Sequence, residues 1–559
     1  MLPTLKPTHP PFARRAVGLA VSVALLCSSL PAPRPALAQP QAPAPRLPAL
    51  GDAGSEELTL GEERRIGEQI MREARRDPAW LDDPVLLAYI QSLWQPLVEA
   101  ARKRGDIDAG IDSQFRWEIF LLRDRAVNAF ALPGGYVGVH LALIAITGNR
   151  DKLASVLAHE LSHVTQRHIA RSVGNASRTS MLALAGLLLG VLSASRSNNI
   201  DVANAAIMGS QGAAMQGQLN FSREMEREAD RIGYGVLADA GFATGGMAQM
   251  FERLQGNAAV ADSGAFPYLR THPLTVERIS EARNRVLLAG ATQTPRATLL
   301  HALMQSRARV LMDRTAQALQ RLAGGATASP APIERVAALA TGALAQAQLG
   351  HGVAAEELAV QALRLARTVP VAEREPAAER VLWLLQAECR LASGDGAGTW
   401  RLLEDGDPAP AAPGTPGTLF AAGSDRSVLT LRAQAALKWH ERDPRAATDA
   451  VRISTEALQT WLAEHGQDAG GWELLALTAD ALGQRLRSMR ASAEARAAQG
   501  DLAGAIDRLR AAQAMARTGS DFIDASIIDT RLRQLLEERR QLALEARQRS
   551  GGGNDREGR

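Results

Sequence analysis

The chain has 559 residues, which is enough for at least two domains with hydrophobic cores of their own. Its formal net charge is only +3, and this near-equal number of basic and acidic residues gives no indication of nucleic-acid binding. Its two cysteines, Cys27 and Cys389, exclude a fold held together by several disulfides. Stability must therefore come from packing.

The N-terminus carries the pattern of a secretory signal peptide. Three basic residues precede an apolar run at residues 16–26, and Ala36-Leu37-Ala38 matches the small-residue site at which such peptides are cut. Removal of residues 1–38 would take away four basic and no acidic side chains and change the formal charge from +3 to −1. Export to the periplasm is expected, with an uncleaved membrane anchor as the alternative.

The folded part is expected to begin near residue 56. Residues 39–55 are rich in Pro, Ala and Gly, which predicts a flexible linker. Thr59 and Glu62 then have the spacing of a capping box, so a helix is predicted to start there.

Two strands and a tight turn are predicted next. Residues 117–122 and 127–131 are apolar and extended in character, and Pro133-Gly134-Gly135 is a strong turn signal. An exposed strand edge here would pair with the backbone of an extended substrate. The alternative is a hairpin with a purely structural role.

Residues 151–171 place their apolar side chains on a largely continuous stripe without Gly or Pro, which predicts one helix. That helix carries His159-Glu160-Leu161-Ser162-His163, the HExxH pattern of zinc peptidases. Because a step of four residues turns a helix by about 40°, His159 and His163 share a face and can bind one metal ion. Glu160 lies beside that face, where it can act as general base on a metal-bound water.

A zinc site of this type needs a third protein ligand, and the sequence offers two candidates. His168 follows the pattern by five residues, a turn of about 140° on a continuous helix, so its side chain is expected to point away from the metal. Glu226 lies in a charged helical stretch and shares a face with Asp230. Glu226 is the preferred ligand, with Asp230 accepting a hydrogen bond from a ligating imidazole. Spacing alone leaves Glu224 and Glu228 open.

These motifs, taken in order, resemble the zinc metallopeptidase family of the CAAX prenyl proteases and their soluble bacterial relatives. The resemblance rests on HELSH at 159–163, ExxAD at 226–230, NAFALPGGYV at 128–137 and THPL at 271–274. It implies a helical domain over residues 56–290 in which the two histidines and Glu226 bind one zinc ion. It also places His272 near the zinc, as a latch or an oxyanion partner, with Arg278 nearby as a positive group.

Residues 181–192 are almost entirely apolar, but this segment is too short to cross a bilayer. Small and polar residues follow at 193–217. The prediction is a buried or site-covering helix with a mobile loop, and contact with a membrane surface is the alternative.

Beyond residue 297 the composition shifts to Ala, Leu, Arg and Gln with helical periodicity. Gly350 and Gly500 are each followed, five and twelve residues later, by alanines, a spacing that resembles a tetratricopeptide repeat. Gly483 lies only seventeen residues before Gly500, half a repeat, so these two frames conflict. We expect a degenerate tetratricopeptide-like superhelix over residues 297–545, with a Pro/Gly-rich loop at 405–427 and a disordered tail at 546–559.

The expected fold is mainly α: a zincin-type peptidase domain with a small β-sheet, followed by the superhelix. The resemblance implies an exported endopeptidase of protein quality control, with misassembled outer-membrane proteins as substrates and the β-barrel assembly machinery as partner of the repeats. The alternative is a chaperone or assembly adaptor with a latched zinc site. A hydrolase of cell-wall peptides is disfavoured because no segment resembles a glycan-binding module. Neither nucleic-acid binding nor more than peripheral membrane contact is expected.

Overall fold

The computed structural model describes residues 58–173, 223–260, 266–290, 294–325, 331–406, 425–517 and 522–551. Their structure is mainly α with one small sheet, which confirms the predicted fold class. The predicted signal peptide, the linker, the apolar segment 181–192 with its polar continuation, and most of the Pro/Gly-rich loop lie outside the described residues. Within those described ranges, no helix is both long and apolar enough to span a bilayer.

The first half of the chain packs helices around a four-stranded sheet. The strands are β1 Trp80–Leu81, β2 Glu118–Leu122, β3 Ala129–Leu132 and β4 Tyr136–His140. The helices are α1 Leu60–Ala74, α2 Pro84–Arg104, α3 Ala109–Gln114, α4 Leu141–Ile146, α5 Arg150–Thr165, α6 His168–Val173, α7 Arg223–Asp239, α8 Gly245–Val260, α9 Pro267–Thr271 and α10 Val276–Leu288.

The order of strands across the sheet is β1-β2-β4-β3. The two predicted strands are present as β2 and β3, but they do not pair with each other. The strand β4, which follows the turn at Pro133-Gly134-Gly135, lies between them and pairs antiparallel with β3 and parallel with β2. At the other side, β1 covers only the end of β2, opposite Leu121 and Leu122. Within the described part of the chain, the sheet therefore has two edges without a partner strand, one along β3 and one along the first residues of β2.

Helix α1 begins with the predicted capping box. The Thr59 hydroxyl accepts a hydrogen bond from the backbone N–H of Glu62, and the Glu62 carboxylate accepts one from the backbone N–H of Thr59. One turn later Gly67 faces the hairpin turn, where a Cβ atom would collide with the carbonyl oxygen of Pro133. A glycine at this position lets α1 lie directly on the turn.

We expect Gly67→Ala to destabilise the protein by about 1–3 kcal/mol, because the added methyl group overpacks a backbone-to-backbone contact. Urea unfolding followed by circular dichroism measures the change. Gly61→Ala is the matched control in the same helix, since no atom lies within 4 Å of a Cβ atom built there. Equal stability of the two variants would contradict the assigned packing.

The helix predicted over residues 151–171 is interrupted. Helix α5 ends at Thr165, and α6 starts at His168 after Arg167, whose φ is +52°. The Arg167 side chain donates hydrogen bonds to the buried Glu63 carboxylate and to the carbonyl oxygen of Leu58. These contacts with the start of α1 hold the backbone in a left-handed conformation, which a local sequence pattern does not reveal.

The second half of the chain is a succession of helical hairpins. Its helices are α11 Leu299–Met312, α12 Ala316–Ala323, α13 Pro332–Gln348, α14 Gly352–Ala366, α15 Pro376–Ala392, α16 Gly396–Glu404, α17 Arg426–Arg442, α18 Pro444–Glu464, α19 Ala469–Ala481, α20 Arg485–Ala498, α21 Leu502–Ala516 and α22 Phe522–Gly551. Two predicted boundaries change. The loop predicted at 405–427 ends at Asp425, which caps α17. Helix α22 extends into the predicted disordered tail, because residues 537–549 are rich in strong helix formers.

Glycines with positive φ end several of these helices, including Gly350, Gly394, Gly483 and Gly500. Gly483 follows α19 and Gly500 follows α20, so they occupy successive turns rather than equivalent positions in two repeats. The apparent conflict between their spacings therefore disappears, since each helix of the hairpin ends at its own glycine.

The two halves pack on one another through buried polar contacts. His301 of α11 lies between the Tyr89 hydroxyl of α2, 2.7 Å from its Nδ1, and the carbonyl oxygen of Thr147, 2.8 Å from its Nε2. Arg307 binds the carboxylate of Asp83, the N-cap of α2, through nitrogen–oxygen distances of 2.7 and 2.8 Å. The helical half is thus positioned relative to the sheet and to α2.

Candidate metal centre

Four buried side chains from three parts of the first half converge. His159 and His163 come from α5, Glu226 from α7, and His272 from the residue that ends α9. One potential ligand atom from each lies within 4.8 Å of the others. The structure therefore brings together the predicted ligands and the residue expected near them.

The spacing within this cluster suits a divalent cation. His159 Nε2 and His163 Nε2 are 3.0 Å apart, and each lies 3.5 Å from a carboxylate oxygen of Glu226. A tetrahedral zinc site with bonds of 2.0–2.1 Å has ligand atoms about 3.3 Å apart. The side chains present therefore fit the metal that the sequence pattern predicts.

Asp230 fixes the orientation of His159. Its Oδ1 atom lies 3.0 Å from His159 Nδ1, which directs Nε2 towards the centre of the cluster. Burial alone would lower the pKa of His159, but Asp230 and Glu226 raise it to about 10. This position therefore favours a positive charge, which a divalent cation bound at Nε2 provides in place of a proton.

His168 has an equivalent role behind His163, which the sequence did not indicate. Its Nδ1 lies 2.9 Å from His163 Nδ1, and its Nε2 lies 3.0 Å from a carboxylate oxygen of Glu228. Burial lowers the pKa of His168 to about 4 although Glu228 opposes the shift, so the imidazole is neutral. With its Nε2–H donated to Glu228, Nδ1 accepts from His163 and leaves His163 Nε2 free for a metal.

The expectation that His168 is not a ligand agrees with this geometry, but its side chain does not point to solvent. The break at Arg167 turns the chain back, so His168 is fully buried beside His163. Glu224 is exposed and Glu228 binds His168 and Arg171, so neither of these alternatives joins the cluster.

Arg278 supports the carboxylates rather than facing a substrate. It makes a two-pronged contact with Asp230, at 2.7 and 2.8 Å, and its Nη1 lies 2.7 Å from Glu226 Oε2. Burial opposes ionisation of Asp230, but Arg278 and His159 hold the pKa of that carboxyl below its usual range. The predicted positive group is therefore the counter-charge of the two buried acids.

Glu160 lies beside the cluster without belonging to it. Both of its carboxylate oxygens are buried, and within the described residues neither makes a well-aligned hydrogen bond. Burial raises the pKa of Glu160, although His272, His159 and the nearby Tyr268 hydroxyl act in the opposite direction. A carboxylate with a raised pKa and free oxygens is suited to take up a proton.

His272 contacts both acids of the site. Its Nδ1 lies 2.9 Å from Glu226 Oε1, and its Nε2 lies 3.7 Å from Glu160 Oε1. On the same short helix, Tyr268 donates its backbone N–H to the carbonyl oxygen of Val127, 3.3 Å away. The free edge of β3 therefore begins next to the helix that carries His272.

This geometry can be compared with known proteins. Residues 92–286 match the model of Peptidase family M48. The match includes all the side chains of the cluster, and it confirms the prediction of a metallopeptidase for this segment.

Three relatives illustrate the similarity. The beta-barrel assembly-enhancing protease of Escherichia coli is 37% identical over 239 residues, 43% of this chain and 47% of the relative. The protein of that name in Yersinia pestis is 35% identical over the same shares. The mitochondrial metalloendopeptidase OMA1 of Saccharomyces cerevisiae is 31% identical over 230 residues, 40% of this chain and 61% of the relative. The chain spans about half the length of the bacterial relatives it matches.

We expect Asp230→Asn to weaken zinc binding about 10–100-fold, because the amide no longer holds His159 Nδ1–H and leaves Arg278 without a full counter-charge. Competition with a chelator of known affinity measures the change. Asp239→Asn is the matched control, since Asp239 lies on the same helix with an exposed carboxylate that binds Arg104. Unchanged affinity in Asp230→Asn would contradict the assigned role.

Proposed function

We propose that this chain is an exported zinc endopeptidase of periplasmic protein quality control that degrades misassembled outer-membrane proteins and assists their assembly. The observation that carries the proposal is the convergence of His159, His163 and Glu226 beside the buried carboxylate of Glu160. The names of the bacterial relatives support the class of substrate.

Zinc would be held by these three side chains and, when bound, would supply a Lewis acid that lowers the pKa of water towards neutrality. Glu160 lies beside these ligands, where its carboxylate would take up a proton from the attacking water and return it to the leaving amine. Asp230 and His168 keep the two histidines in the tautomers that leave Nε2 free. The free edge of β3 pairs with the backbone of the cleaved segment, which recognises an unfolded chain with little side-chain preference.

The remaining parts of the proposal follow from the sequence and from the helical half. Residues 1–38 act as a cleavable signal peptide, and residues 39–55 link it to the peptidase domain at 56–290. The helical hairpins of residues 297–545 form a tetratricopeptide-like superhelix that binds the β-barrel assembly machinery. Stacked helical pairs offer an extended concave surface without chemistry of their own, which suits this docking role.

A second candidate function is a chaperone or assembly adaptor with a latched zinc site. The observation in its favour is the position of His272, which places a ring nitrogen within 4.8 Å of the candidate ligand atoms of the other three residues and its Nδ1 2.9 Å from Glu226 Oε1. A fourth protein ligand would occupy the position that water or substrate needs. The two functions differ in whether hydrolysis is required.

We expect Glu160→Gln to retain about one zinc per chain and to lose casein cleavage by about 10²–10⁴-fold, because the amide cannot accept the proton. Glu226→Gln should lose zinc as well as activity. Metal analysis and casein hydrolysis of the chain from residue 39 onwards provide both measurements.

The control for these variants is Glu224→Gln. Glu224 is an exposed glutamate about half a turn before Glu226 on the same helix. It should match the unmodified chain in zinc content and in activity. Stoichiometric zinc without any cleavage in the unmodified chain would favour the adaptor, and absence of zinc would refute the peptidase.

We expect His272→Ala to increase casein cleavage while His159, His163 and Glu226 retain about one zinc per chain, since the change removes the imidazole that contacts both Glu226 and Glu160. Initial rates at saturating casein measure the effect. A fall in kcat at constant KM would instead identify His272 as a donor to the developing oxyanion.

A further inference from the structure

A cleft of about 760 Å³ lies between the sheet and the helical half of the protein. One wall is formed by α2 together with β1 and the first residues of β2. The opposite wall comes from the start of α17, the end of α18 and the start of α19. None of the side chains of the metal centre lines it, so it is a separate site.

The floor of this cleft is an incomplete sheet edge. In β2, the even-numbered residues direct their backbone groups towards β4, as shown by the hydrogen bond from Glu118 N–H to Gly135. The odd-numbered residues face the other side, where Leu81 pairs with Leu121. In the same antiparallel register, the partner of Ile119 would be residue 83. Asp83 is instead the N-cap of α2, so β1 does not continue to this position.

Among the described residues, the N–H and C=O of Ile119 make no hydrogen bond on the side that faces the cleft. Most of the residue is covered, since Ile119 as a whole is 4% exposed. Backbone N–H and C=O groups are strong hydrogen-bonding groups that are usually paired in folded proteins. Such a donor and acceptor pair is complementary to the backbone of an extended chain.

The cleft keeps an excess of acidic groups after its internal ion pairs are taken into account. Arg426 binds both Asp82 and Asp468, Arg75 binds Glu118, and Arg380 binds Asp425. Glu473 pairs only with the neutral amide of Gln499 among the described residues, so five carboxylates face three guanidinium groups. The amide side chains of Gln91 and Gln95 line the α2 wall and offer neutral hydrogen bonds. An acidic segment would be repelled, whereas lysine or arginine side chains would find counter-charges.

We propose that this cleft binds an extended polypeptide segment, neutral to basic in sequence, as an additional strand on the free edge of β2. The segment would exchange backbone hydrogen bonds with Ile119 and continue the line of β1. A helix cannot do this, because its own backbone groups are paired internally.

We assign the cleft the role of holding the substrate of the peptidase, and this role rests on the proposed function. Binding of the segment itself requires no hydrolysis. It lies at the β2 edge of the sheet, whereas the edge beside the metal centre belongs to β3. A long unfolded chain would then contact the protein at two places, which raises its effective concentration at the cleaving edge.

The test uses the full chain from residue 39 carrying Glu160→Gln, so that the probe is not cut. The probe is a fluorescein-labelled ten-residue peptide of alternating valine and lysine, and binding is followed by fluorescence anisotropy. We expect saturable binding of this valine–lysine peptide. Binding should be at least tenfold weaker for a peptide in which glutamate replaces lysine, and for a valine–lysine peptide with every backbone nitrogen methylated. Amide hydrogen exchange at Ile119 should slow at least tenfold when the valine–lysine peptide is present.

Gln91→Trp, which fills the cleft from the exposed face of α2, should weaken binding of the valine–lysine peptide at least tenfold. Gln320→Trp is the matched control, because Gln320 is an exposed glutamine on α12 outside the cleft. Circular dichroism and zinc content establish that both variants are folded.

Three outcomes would overturn the proposal: equal binding by both tryptophan variants, unchanged exchange at Ile119, or tight binding of the methylated peptide. A concentration-dependent dimer in sedimentation that the peptide dissociates would make a second copy of the chain the occupant and would also overturn it. Zinc content and casein cleavage of the unmodified chain test the proposed function separately, so either can fail while the other holds.

Discussion

The close approach of α7 to α5 is the constraint on which the metal centre depends. A Cβ atom at Gly233 would lie 3.1 Å from the carbonyl oxygen of Ala158, so the two helix backbones are nearly in contact there. Asp230 and Glu226 lie on the same face of α7, about one turn and two turns before this glycine respectively. The short distance between the helices allows both short acidic side chains to reach the imidazoles of α5.

That approach would be unfavourable if the charges it buries were not compensated. Glu226 is only 1% exposed, and its ionised carboxylate is stabilised by His272 and His159 against the effect of burial, which keeps its pKa below the usual range. Arg278 binds Asp230 at two points and also contacts Glu226. In a buried set of acids, histidines and one arginine, each member supplies a hydrogen bond or a counter-charge to its neighbours.

The helical half contributes to the same organisation from outside. Arg307 joins Asp83 to Glu388 of α15, and Arg426 joins Asp82 to Asp468, so two arginines of the helical half contact adjacent residues before α2. Asp82 and Asp83 directly follow β1, and because they make these contacts they do not extend β1 along β2. They explain why the sheet edge at Ile119 is left open and why it faces a cleft rather than solvent.

The sequence by itself determined the mainly α class, two strands before the Pro-Gly-Gly turn, the start of α1 and the shared helix face of His159 and His163. These features depend on local periodicity, capping and spacing within one helix, which a few neighbouring residues encode. Glu226 and His272 lie on other elements, and their place near the two histidines was indicated by the family resemblance and not by local spacing. Only the tertiary structure decided that the zinc helix ends at Thr165, that His168 supports His163, that Arg278 binds the acids, and that β2 keeps a free edge. Each of these features depends on partners distant in sequence, such as Glu63 for Arg167 and Asp230 for Arg278, and no local pattern specifies which distant groups will meet.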